Sequence, residues 1–267
     1  MTTPFSQEFR LSITKALGDQ LAEALRTLTP TPLSAGALAK VARRSGVYQL
    51  FLDGELVYVG KAEASIPNRL GQHLRKISGR RHIDLSRMSF TCLYVSEDFS
   101  AVAPEKLLIK RIRAERLMPW NTNGFGNKDP GRNRDNTVLK SNHFDVQYPI
   151  DLDLEIIRSH SGPMVVGDLL QRLKEELPYN FRYKSPPNAV QSREVKVPFA
   201  KASASACFQA LSAELPDSWQ ISALMGYVIM YDDGGVDYPS GWRYYRSGRV
   251  ISVAPRFEPA GDMGELE

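Results

Sequence analysis

Residues 46–60 read GVYQLFLDGELVYVG, and the fold of the first half of the chain turns on them. Two apolar runs, Val47 to Leu52 and Leu56 to Val59, flank Asp53-Gly54. Both residues of an Asp-Gly pair tolerate the positive φ of a tight two-residue loop, so the stretch predicts a β-hairpin. Tyr48 and Tyr58 stand near the start of each run, and Gly60 closes the second one just before Lys61. Such a hairpin presents two phenols, a bare backbone and an ammonium near one rim.

Outward from the hairpin, the flanks read as helices and one more strand. Before it, Phe9, Ile13, Leu17, Leu21, Leu25 and Leu28 recur at three- and four-residue steps, an apolar helical stripe that Pro30 and Pro32 stop. A short helix is expected from Ser34 to Arg43, with Ser34 as its N-cap. After the hairpin, Ser65 as cap and Pro67 in the first turn predict a helix to about Ile77. Arg69 and His73 are four apart and share one face of it. Met88–Val95 (MSFTCLYV), β-branched and aromatic, reads as a third strand.

The next helix is expected from about Pro104 to Leu117, with Glu105 in its first turn and Pro119-Trp120-Asn121 after its end. A first-turn glutamate serves the helix dipole in most proteins, and a lone Arg/His pair is usually a solvated face. Residues 120–137 come next, WNTNGFGNKDPGRNRDNT, too rich in Gly and Asn for a regular element and carrying Lys128, Arg132 and Arg134.

Gly46-Val47-Tyr48 and Tyr58-Val59-Gly60, then Arg69, Glu105 and Asn121 in this order, resemble the signature of the GIY-YIG nucleases. Trp120-Asn121-Thr122, Gly124-Phe125-Gly126-Asn127 and Asp129-Pro130-Gly131, with the opening FRLSITKALGDQLAEAL, are similar to the type II restriction endonuclease branch of that superfamily. The resemblance covers about residues 5–140. It implies an α+β protein: an N-terminal helical extension (1–40), a nuclease domain with a three-stranded antiparallel sheet flanked by helices (41–148), and a separate α+β domain (149–267). One divalent ion per site, Mg²⁺ or Mn²⁺, is then expected on Glu105, with Glu115 as the rival ligand. Tyr48 with His73 would activate water and Arg69 would stabilise the phosphate. Tyr58 and Lys61 would position it, and Asn121 would brace the site. Lys128, Arg132 and Arg134 would contact DNA. The branch carries a longer insertion between its two Tyr strands, whereas this hairpin is tight.

Past Tyr148-Pro149 the composition changes. Asp151–Ile157 (DLDLEII) alternates as an acidic strand, and QRLKEELP at 171–178 is echoed by QALSAELP at 209–216. Residues 222–231 and 242–253 read as strands around YDDGGVDYPSG. Trp242, Arg243, Tyr244, Tyr245, Arg246 and Arg249 interleave aromatics with bases, which suits nucleic-acid contact or, equally, an edge hairpin.

Bulk properties narrow the class. Residues 61–140 carry sixteen Lys/Arg against eight Asp/Glu in a chain whose net charge is only +4, so positive charge is concentrated where a polyanion would meet it. Two distant cysteines make neither a zinc site nor a disulfide framework, and no apolar run has membrane-spanning length. With no signal-peptide pattern, the expected home is the cytoplasm and the expected partner is double-stranded DNA. The leading expectation is a metal-dependent endonuclease acting on foreign phage or plasmid DNA, as a homodimer and beside a methyltransferase or other defence partner. Two alternatives stand: a modification- or structure-dependent nuclease directed by residues 149–267, and a catalytically silent DNA-binding scaffold.

Overall fold

Asp53 and Gly54 take φ of 53° and 84°, and Leu52 faces Glu55 across a two-residue loop. The hairpin read from the Asp-Gly pair is therefore present, as strands β2 (Gly46–Leu52) and β3 (Glu55–Ala62). The computed structural model describes residues 12–95, 108–109, 111–112, 118–126, 131–159, 163–197 and 200–260. It is mixed α+β and divides into two units, Met1–Leu74 with Leu85–Thr122, and Arg75–Asp84 with Asn123–Glu267.

In the first unit, β2 is flanked by β3 on one side and by β4 (Met88–Tyr94) on the other. A fourth strand, β1 (Thr31–Pro32), extends the expected three and gives the order β1-β4-β2-β3. Pro32 is tolerated because β1 lies at the sheet edge, where a missing N–H breaks no ladder. Helix α1 (Ile13–Arg26) starts at Ser12, whose hydroxyl accepts from the Lys15 amide at 3.3 Å. It stops at Arg26, short of the prolines; Phe9 lies outside the described residues. Helix α2 (Ala35–Leu38) is shorter than the expected span to Arg43. Ser34 does cap it, accepting from the Ala37 amide, but Lys40 and Val41 then bond to carbonyls only three residues back. Helix α3 (Ile66–Ser78) has Pro67 in its first turn and Ser65 Oγ accepting from the Asn68 amide at 3.4 Å.

Strand alternation divides the sheet's two faces. Val47, Phe51, Leu56 and Val59 pack against Ala22, Leu25 and Leu28 of α1 and its end, with Leu108, Ile112 and Met118. Tyr48 and Tyr58 point to the opposite face, where α3 lies.

The second unit carries strands β5 (Leu139–Lys140), β6 (Glu155–Ser159), β7 (Met164–Val165), β8 (Phe181–Tyr183), β9 (Glu194–Val195) and β10 (Ala200–Ser203). After these come β11 (Trp219–Leu224), β12 (Val228–Asp232), β13 (Gly241–Arg246), β14 (Arg249–Ser252) and β15 (Phe257–Glu258). Its main sheet has the order β14-β13-β11-β12-β8, with β8 parallel to β12 and the other pairs antiparallel. The two echoed segments are the helices Val166–Glu176 and Ala204–Glu214, ending before Pro178 and Pro216. Each leads into a strand of this sheet, and Leu169, Leu173, Phe208 and Leu211 join Phe181, Ile221, Met230 and Tyr245 in one core.

Four expectations for this region change. The join placed at 148/149 falls inside the second unit. Phe125 and Phe144 rings meet at 4.7 Å, Arg80 pairs with Asp145, and β15 pairs with β5, so residues 123–148 pack within the C-terminal unit. The acidic strand begins only at Glu155, because Asp151 Oδ1 accepts from the Asp153 amide in a side-chain-capped turn. Residues 222–231 are two strands, turning between Leu224 and Val228. The alternating strand 242–246 buries Tyr244 and Tyr245 in cores on its two faces, so those aromatics hold the sheet together and are not a nucleic-acid surface. Among the described residues no helix is long and apolar enough to cross a membrane.

Candidate active site

Tyr48 enters from β2, Tyr58 from β3 and His73 from α3, and the three rings form a triangle. Their centroids are 6.2 Å apart for the two tyrosines, 5.6 Å for Tyr48–His73 and 5.5 Å for Tyr58–His73. Tyr48 Oη lies 2.7 Å from His73 Nε2, and all three side chains are buried. A buried phenol and imidazole at that distance share one proton, whichever of the two carries it.

Gly60 makes the triangle possible. It pairs with Tyr48 across the hairpin, and a Cβ there would lie 2.3 Å from Tyr48 Oη and 2.7 Å from Tyr58 Cε1. Gly46 is constrained in the same way, since a Cβ would come within 2.2 Å of the Leu93 carbonyl oxygen and 2.9 Å of Ile66 Cδ1. The two glycines of the quoted stretch are thus spatial necessities, one admitting the phenols and the other admitting β4 and α3.

Arg69 is one helical turn before His73 and half-buried. Burial by itself lowers the pKa of its guanidinium. Hydrogen bonding to and charge attraction from Tyr48 and Tyr58 outweigh that, and the group sits above its ordinary value. Arg69 Nη1 also donates to Gln72 Oε1 at 3.0 Å. Gln72 is a site neighbour that no motif announces; its three-residue helical spacing to Arg69 is the one signal the sequence holds. Lys61 pairs with Val47, and strand alternation sets it on the face of the sheet opposite Tyr58 and Gly60.

Asn121, in the 3-10 turn Pro119–Asn121, brings a side-chain amide against the outer edge of β3. Its Oδ1 accepts from the Val59 amide at 2.9 Å and its Nδ2 donates to the Val59 carbonyl at 2.8 Å. An amide side chain here does the work of a neighbouring strand and fixes the residue between Tyr58 and Gly60.

Glu105 and Glu115, the expected ligand and its rival, and Lys128 lie outside the described residues. Among the described residues no group of three His, Cys, Asp or Glu could hold a metal ion. Two phenols, an imidazole and a guanidinium make a donor set for an anion such as phosphate. A hard divalent ion needs only one protein carboxylate when water and phosphate oxygens supply the rest, so the set is compatible with an ion carried on Glu105.

The two described loop cations belong to the second unit and differ from one another. Arg134 is mostly buried and paired with Asp145, which also takes Arg80 Nη1 at 3.0 Å, so its role is architectural. Arg132 is exposed, with its guanidinium 4.1 Å from the centroid of the Tyr231 ring. Compared with known proteins, the chain matches no family model and no curated protein.

Proposed function

We propose that this protein is a metal-dependent DNA endonuclease of the GIY-YIG type, acting on foreign DNA. The observation that supports the reading is the triangle of Tyr48, Tyr58 and His73 with the half-buried Arg69 coupled to both phenols. Three rings that need a bare Gly60 to meet, beside a cation with no carboxylate partner among the described residues, suit an anionic substrate better than a core.

Phosphodiester hydrolysis requires a deprotonated water, charge relief at phosphorus, a stabilised leaving oxygen and in-line positioning. Arg69 would grip the non-bridging oxygens of the scissile phosphate through its planar fork, held in place by Gln72. The Tyr58 phenol would orient the same group. Tyr48 would take the proton of the attacking water while its own passes to His73 Nε2, a relay over the 2.7 Å contact. Glu105 would hold the Mg²⁺, which when bound neutralises charge developing on the phosphate oxygens. Asn121 would keep β3, and Tyr58 with it, in register.

Purified protein with Mg²⁺ and duplex plasmid tests the reading. Cutting is expected, ended by EDTA, and reduced at least ~100-fold in Glu105→Ala and in Arg69→Ala. Glu105→Ala should still bind DNA, because it removes the metal ligand and no basic group. Failure of the wild type to cut any duplex would overturn the proposal and favour the silent scaffold. A Glu105→Ala enzyme that cuts would transfer the ligand role to Glu115.

A further inference from the structure

In the second unit, the 3-10 turn Gly131–Arg134 lies over the face of the main sheet turned away from the two helices. Tyr227, just before β12, and Tyr231 within it belong to one buried cluster; Arg134 and Arg132, two apart on the turn, sit over those two rings at 5.0 and 4.1 Å. Arg182 of β8 lies against the same pair, 5.4 Å from the Tyr227 centroid and donating through Nε to Tyr231 Oη at 2.7 Å. Asp135, buried, ties the assembly together: it takes Arg182 as an ion pair and accepts from Tyr227 Oη at 2.8 Å.

Charge compensation is uneven across these three arginines. Arg134 is answered by Asp145 and Arg182 by Asp135, and both arginines are mostly buried. Arg132 is the exposed one, and no acid pairs with it among the described residues. Its guanidinium rests on an aromatic ring that Arg182 itself holds by a hydrogen bond, so part of its rotamer freedom is already spent before binding. The side chain stays exposed to solvent. An exposed guanidinium anchored on an aromatic ring, with no acid to pair with among the described residues, is a forked donor for phosphate.

We infer that Arg132 is a preorganised contact to the DNA backbone, and that Tyr231, Arg182 and Asp135 are the scaffold that holds it. This rests on the proposed nuclease reading for the identity of the polyanion. It deepens that reading by giving the second unit its own sequence-independent hold on DNA, and by separating Arg132 from its architectural neighbour Arg134.

The test is equilibrium binding of the full chain to a fluorescent ~20-base-pair duplex in EDTA, over a salt series. Arg132→Ala should weaken binding about five- to tenfold near ~0.1 M salt and reduce the slope of log K against log[salt] by about one. Arg132→Lys should restore the slope and only part of the affinity, since it keeps the charge and loses the planar fork. Because Arg132 is exposed, the folded state should survive, which circular dichroism verifies. Unchanged affinity and slope in Arg132→Ala would overturn the inference alone, as would weakened binding with an unchanged slope. A wild type that binds no duplex would overturn both the inference and the nuclease reading.

Discussion

Each unit of this protein contains a buried polar cluster, and the two are built on opposite terms. In the second unit, Arg80 and Asp145 are 3% and 1% exposed and meet at 3.0 Å, with Arg134 as a second cation on the same carboxylate. Arg80 further donates to the carbonyls of Tyr148 and Gly226. In the first unit, the buried groups are rings. Tyr48 and His73 share a hydrogen bond whose proton can change hands, Tyr58 packs beside them, and Arg69, coupled to both phenols, is only half-buried. Ion pairs that close on themselves hold a fold in one arrangement. A proton shared between groups of similar size, next to an accessible cation, can be moved by a substrate. That difference in compensation sets the two clusters apart, although both are made of buried polar residues.

The contrast can be broken, most forcefully at Tyr48. Tyr48→Phe keeps the ring and removes the oxygen beside His73. If the cluster is reactive, cleavage should fall about 100- to 10,000-fold, while stability drops only about 1–2 kcal/mol for the lost buried hydrogen bond. Single-turnover cleavage together with urea unfolding measures both. An unaffected rate would place the ring triangle in the same architectural class as the Arg80–Asp145 pair.

Asp145→Ala is the reciprocal test and should act on stability. It leaves the Arg80 charge buried without its carboxylate, at a cost of about 3–5 kcal/mol. A pH dependence accompanies it. Burial alone would raise the Asp145 carboxyl, but Arg80, Lys76 and Arg134 outweigh burial and hold it below the ordinary carboxylate value. A lowered folded-state pKa contributes stability above the unfolded value of ~3.9 and loses it as pH falls through the folded value. The wild type should therefore lose stability on acidification below about pH 4 more steeply than Asp145→Ala. Equal acid profiles for the two proteins would show that the carboxylate is not stabilised by its cations. Gly60→Ala should cost about 1–3 kcal/mol of overpacking. It should be accompanied by loss of cleavage, since the added methyl would push on Tyr48 Oη and Tyr58 together.

Local chemistry accounts for the part of the fold that is legible in the sequence. Asp53-Gly54 declares its turn because only certain residues accept two positive φ values in succession, and Ser34 and Ser65 declare their helix starts through a hydroxyl placed three residues before an amide. The four-residue spacing of Arg69 and His73 likewise puts both on one face of α3. The features that stay hidden depend on partners distant in the chain. Nothing near Arg134 announces that Asp145 will meet Arg80 from 65 positions away, so a paired arginine reads as a free one. Gly226, whose Cβ would fall 2.3 Å from Asp145 Oδ2, splits one apparent strand into two for a reason visible only in three dimensions. Lys61 follows Gly60 in sequence yet lies on the other face of the sheet from the phenols, because neighbours alternate in a strand. β1 is silent because two residues containing a proline carry no strand signal at all.

The clamp of Asn121 on Val59 reaches beyond the site it braces. β3 is the terminal strand of its sheet, and an open terminal strand is a template on which another molecule's strand can assemble. By occupying both the amide and the carbonyl of Val59 with one side chain, the protein interrupts that template at its midpoint. The side chain that fixes the residue between Tyr58 and Gly60 also blunts the strand edge, so solubility at high concentration and the order of the ring cluster are tied to a single carboxamide.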